Sequence, residues 1–157
     1  MSYFNVAQEG HVVSILPPID IDTASGATSE SFSMENWSHA SIIITAGATT
    51  GASVVTVSEN TDDSQSGTTA IAFKLAKEET ALGDTLGALT ATASTGFTMS
   101  TADGIIYVIE LDAADLSAGY NWVTVHFADP SGSVIASAVA VLSGGRYAGD
   151  QSATAIA

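Results

Sequence analysis

The chain has 157 residues, 46% hydrophobic and 13% charged, with 17 acidic side chains against 3 basic ones and a net charge of −14 at pH 7. That length suits one domain with one core, and that charge excludes phosphate backbones and anionic lipid surfaces as expected partners. No apolar run reaches the roughly 20 residues of a membrane-spanning helix, and the absence of cysteine removes disulfides, thiolate nucleophiles and Cys-based zinc sites.

Residues 1–5 lack the basic and apolar regions of a secretory signal, so synthesis in a cytoplasm is expected. Residues 11–16 and 31–34 read as weak strands, and the small, polar stretch 20–30 between them reads as under-packed. Residues 40–46 and 53–58 are rich in Ile, Val and Thr, and the Gly-bounded segment 47–51 between them predicts a hairpin. Residues 69–74 and 97–100 are further weak strands. Between them, Gly and Thr make 74–90 a loop with a turn.

The C-terminal half carries the clearest signals, at 105–111, 120–127 and 134–142. Asp112, with Asp115 three residues on, predicts one helical turn. At 129–132, Pro130 presets φ and Gly132 tolerates a positive φ, which is turn chemistry. Along 120–127, Val123, Val125 and Phe127 form the apolar face, opposite Tyr120, Trp122, Thr124 and His126.

Nine short strands at roughly even spacing and under about a fifth of helix predict an all-β fold, an antiparallel β-sandwich or jelly roll. The sandwich domain is expected to span 1–142. Residues 143–157, rich in Gly, Ser and Ala, are expected to form an extended C-terminal arm. Arg146 and Tyr147 are its only bulky polar pair and the candidate partner-binding residues.

Arrangements that could carry chemistry are weak. Asp20 with Asp22, and Glu59 with Asp62 and Asp63, could face a hard cation but lack the Gly-containing spacing of a calcium loop, so solvated loops are expected. His11, His39 and His126 are far apart and lack metal-ligand spacing; packed or surface roles are expected. No nucleophile elbow occurs, and neither 47–51 nor 143–145 resembles a phosphate loop. Trp37, Trp122, Tyr107 and Tyr120 could form a sugar-stacking platform, although core positions are the expectation. No catalytic residue, metal or cofactor is therefore expected, and the chain reads as a binding and assembly protein, not an enzyme. Copies this acidic repel one another, so assembly requires acidic loops turned to solvent and apolar contacts for adhesion.

Several segments carry a resemblance to a known group. They are 4–8, 17–21, 32–44 with Trp37 and His39, 77–87, 103–110, and 138–148 with Arg146 and Tyr147. Together they resemble the head-decoration, or cement, proteins of tailed bacteriophages, encoded near the major capsid protein. None of these segments is a mechanistic motif. The resemblance implies a compact β domain on the outside of a capsid, bound to the major capsid protein and bridging its subunits. It further implies a homo-oligomer, a trimer or otherwise a dimer, with a terminal arm lying across the shell. The second expectation is a β-sandwich binding module of the virion, either a host-glycan adhesin or a tail or neck component.

Overall fold

The computed structural model describes residues 5–145 and 156. Of these, 53% lie in strands or bridges and 5% in helices, so the fold is all-β as expected. A short helix, α1 (Val6–Glu9), precedes twelve strands. These are β1 (His11–Asp20), β2 (Ala27–Thr28), β3 (Phe32–Ser33), β4 (Trp37–Thr49), β5 (Val54–Asn60) and β6 (Thr69–Ile71). They continue with β7 (Phe73–Lys77), β8 (Thr90–Thr92), β9 (Phe97–Thr98), β10 (Ile106–Asp112), β11 (Trp122–Phe127) and β12 (Val134–Gly145).

Two antiparallel sheets pack face to face. Sheet I has the order β1-β12-β4-β10-β7-β8; sheet II has the order β2-β11-β5-β6, with β3 also on β11 and β9 on β5. Alternation along each strand sets the core. From sheet I, Ile42 and Ile44 (β4), Tyr107 and Ile109 (β10), and Ala138, Ala140 and Leu142 (β12) point inward. They meet Val55, Val57, Val123, Val125 and Phe127 of sheet II, and all of these are fully buried. Each large aliphatic or aromatic side chain removed from water contributes about 1.5–3 kcal/mol. The small alanines of β12 allow the sheets to close over the aromatic rings.

The expected hairpin at 40–58 does not form, because β4 belongs to sheet I and β5 to sheet II. Both strands have a buried apolar row, and the chain satisfies both by crossing the sandwich at 50–53. Gly51 makes that corner tight, since a Cβ there would clash with the Pro130 carbonyl oxygen. The turn expected at 129–132 joins β11 and β12. Ser131, at φ 55°, takes the positive φ, and its N–H donates to Asp129 Oδ1 at 3.0 Å. Gly132 is needed for room instead, because its Cβ would lie 3.2 Å from the Thr50 and Gly51 backbone.

Residues 69–74 divide into β6 and β7, one in each sheet. The 20–30 stretch is tied down. Ile21 is fully buried and Ala27–Thr28 pairs with β11, while Ser29 Oγ accepts the Val125 N–H at 2.9 Å. The expected turn after Asp112 is present as a 3-10 helix, Ala113–Asp115, with the Asp112 N–H donating to Asp115 Oδ2 at 3.2 Å. At the C-terminal end, β12 continues past Leu142 to Gly145, and Ile156 bridges Phe32 and packs on the core.

Candidate functional site

The two outer faces of the sandwich differ in chemistry. On sheet II, the outward residues include Thr56 and Ser58 from β5, Thr124 and His126 from β11, and Thr28 from β2. They bond to one another: Asn60 Nδ2 donates to Thr124 Oγ1 at 3.1 Å, and Thr28 Oγ1 lies 2.9 Å from His126 Nδ1. Ser58, Asn60 and Thr124 are buried there, so that side is polar and hydrogen-bonded within itself, with Thr28 exposed at its edge.

Sheet I presents the opposite. Register places Ala76, Val108, Ile43 and Val139 side by side across β7, β10, β4 and β12. The same pairing puts Val141 beside Val12 on one flank of this row, and Ile106 beside Thr45 on the other. Ala76 is buried, Ile43, Ile106, Val108, Val139 and Val141 are half-buried, and Val12 is 54% exposed. The result is an apolar band crossing four strands, with α1 in contact with β1 and β12 at its edge. A row of partly exposed apolar side chains on one face is a candidate contact surface.

A charged cluster borders the band. His39 of β4 lies between two carboxylates of β10, with Nε2 2.7 Å from Glu110 Oε2 and Nδ1 2.7 Å from Asp112 Oδ1. Ser41 Oγ donates to the same Glu110 oxygen at 2.7 Å. Lys74 of β7 is in register with Glu110. Partial burial alone would push the His39 pKa down, but hydrogen bonds to Asp112 and Glu110, with their charges, hold it above the ordinary 6.5. With an acceptor at each ring nitrogen, His39 is suited to the doubly protonated form. The cluster is therefore a proton clamp, and neither ring nitrogen is left free for a metal.

The residues singled out from the sequence separate. Trp37 and Tyr107 are core residues: Trp37 stacks on His11 with centroids 5.7 Å apart, and the Tyr107 hydroxyl accepts the Ser100 N–H at 2.7 Å. Trp122 is half-buried on the outer side of sheet II, so it shares no platform with Trp37 and Tyr107. Asp20 closes the end of β1, accepting from the Ser133 hydroxyl at 2.6 Å and the Val134 N–H at 3.1 Å. Those bonds, the Ser133 one first, hold its carboxyl below the usual range. Glu59 is buried and accepts the Ser117 N–H at 2.7 Å, whereas Asp62 accepts the Ser66 N–H at 2.9 Å in a turn. Among the described residues no three His, Asp or Glu side chains are placed to share a metal ion. Arg146 and Tyr147 lie outside the described residues.

No protein family, curated protein or solved structure matches this chain. The band on sheet I was missed in the sequence, yet a signal for it exists. Ile42-Ile43-Ile44, Ile105-Ile106-Tyr107-Val108-Ile109 and Val139-Ala140-Val141-Leu142 are apolar at consecutive positions. A strand with one face in water alternates; these three adjacent strands do not, which is the pattern of a sheet covered on both faces.

Proposed function

We propose that this chain is a structural virion protein that binds the outside of a phage capsid and stabilises it by bridging capsid subunits. The observation that carries the reading is the outer face of sheet I, an apolar band on a −14 chain whose opposite face is polar. A protein that works through assembly needs such a surface, with most of its acidic residues elsewhere and those at its border, Glu110 and Asp112, paired with His39. Asp22, Asp62, Asp63, Asp84, Asp103 and Asp129 all sit in loops. The resemblance to head-decoration proteins supplies the setting, with the major capsid protein as partner and the capsid surface as location. On this reading Arg146 and Tyr147 contact the shell, the guanidinium pairing with carboxylates or carbonyls and the ring burying against the subunit surface.

Quantitative gel analysis of purified particles tests the proposal. A decoration protein is present at hundreds of copies per particle. Its absence, or a count in the tens, contradicts the proposal.

A further inference from the structure

We infer that the free edge of β8 is a strand-acceptor site for a different protein, taking an extended segment that carries aliphatic side chains at consecutive positions and a carboxylate beside them. Such a site is separate from the apolar band and does not depend on a capsid setting.

Two open sheets have four edges, and an unpaired edge strand is a template for another chain. Here β1 is blunted by Pro17 and Pro18 and by register shifts against β12. At the β2 and β3 edge of sheet II, Ile156 bridges Phe32. The remaining edges, β6 and β8, adjoin, since Ile71 of β6 and Ala91 of β8 line one cavity. Residues 85–102 contain no charged side chain and no proline, so β8 has none of the devices that guard an edge.

The surroundings of β8 suit alternating side chains. Register pairs Lys74 with Ala91 and Leu75 with Thr90, and successive pairs face opposite sides of the sheet. Lys74 and Ala91 line a cavity of about 370 Å³ whose apolar walls include Ile71 and Phe73. Leu75 and Thr90 line a second, of about 260 Å³, together with Ala88 and Lys77. A strand laid along β8 turns consecutive side chains to alternate sides, so one enters each cavity. Main-chain bonds to the edge then give affinity and the two cavities give selectivity.

Charge selects the partner. On a chain with 17 acidic side chains, Lys74 and Lys77 are exposed, and the ion pairs among the described residues both use His39 instead. The carboxylates near them are engaged or out of reach. Glu110 is bonded to His39 and Ser41, Asp115 accepts the Asp112 N–H, and Glu79 lines the cavity of Lys77 without pairing with it. Two unpaired ammonium groups, one at each cavity, complement a segment that brings its own carboxylate. The β8 edge of a second copy cannot supply it, because 85–102 has none.

Fluorescence anisotropy on the full chain tests this with a short labelled peptide, Val-Val-Thr-Val flanked by Asp at each end. It should bind saturably and at least tenfold more tightly than the same peptide flanked by Lys. Lys74→Glu combined with Lys77→Glu, and separately Ala91→Trp, which fills the larger cavity, should each weaken binding at least tenfold while the β circular dichroism is retained. Thr56→Glu on sheet II should leave it unchanged. Should the variants unfold, the native chain decides: saturating Asp-flanked peptide should slow amide hydrogen exchange at least tenfold at one or more of residues 90–92. No saturable binding, equal binding of the two peptides, or binding that leaves exchange at 90–92 unchanged overturns the inference. Ala91→Cys chains that cross-link to one another without peptide assign the edge to a second copy and overturn it as well.

Discussion

Both nitrogens of His39 are engaged by carboxylates of the neighbouring strand, and this pairing ties stability to pH. A folded-state pKa above the unfolded value means that the folded chain binds the proton more tightly. The clamp's contribution is thus complete below about pH 6.5 and is lost as pH rises through the raised folded value. Asp115, bonded to the Asp112 backbone, and Lys74, in register with Glu110, complete the charges around it. In His39→Gln the decline in melting temperature between about pH 6 and pH 9 should be shallower than in the native chain. Parallel curves for the two proteins would sink the clamp. Ser29 is a second such residue, buried and accepting the Val125 N–H. Ser29→Ala leaves that donor unmet inside the sandwich and should lower unfolding free energy by about 1–3 kcal/mol in denaturant titrations; a loss under about 0.5 kcal/mol would contradict it. Neither role was legible in the sequence, because a polar residue alone does not reveal which backbone group or side chain lies across the fold from it.

At the scale of the element, the strands with dense Ile and Val were legible and their partners were not. The runs at 40–46, 105–111 and 134–142 became β4, β10 and β12, the centre of sheet I. Pairing β4 with β5 was the natural reading of a short Gly-bounded loop. It was wrong because each strand's inward row had to face the other across the core. The small elements β2 and β8 were missed, since two or three residues of Ala and Thr carry no periodicity. Glycine positions show how tightly the short strands are held. Gly96 has φ +79° where β9 meets β5, and a Cβ there would press on the Val55 carbonyl oxygen. Gly96→Ala combines strain with displacement of β9 and should cost more than about 1 kcal/mol. Thermal or chemical unfolding checks this, and native-like stability would show that the corner can relax.

For the whole molecule, composition indicated the kind of surface but not its location. With only 13% of residues charged, the surface has to be covered largely by uncharged side chains, and the non-alternating runs of β4, β10 and β12 put apolar ones on one side of the sandwich. The account's central claim is that this side is covered when the chain is assembled. Thiol labelling on the cysteine-free chain tests it most directly. Val12→Cys reports from the band, where Val12 is 54% exposed, and Leu82→Cys reports from a distant loop, where Leu82 is 85% exposed. Maleimide should label both rapidly in the dilute chain. In purified particles, labelling at position 12 should slow at least tenfold while position 82 keeps its rate. Equal rates at position 12 in the dilute chain and in the particle would contradict the claim.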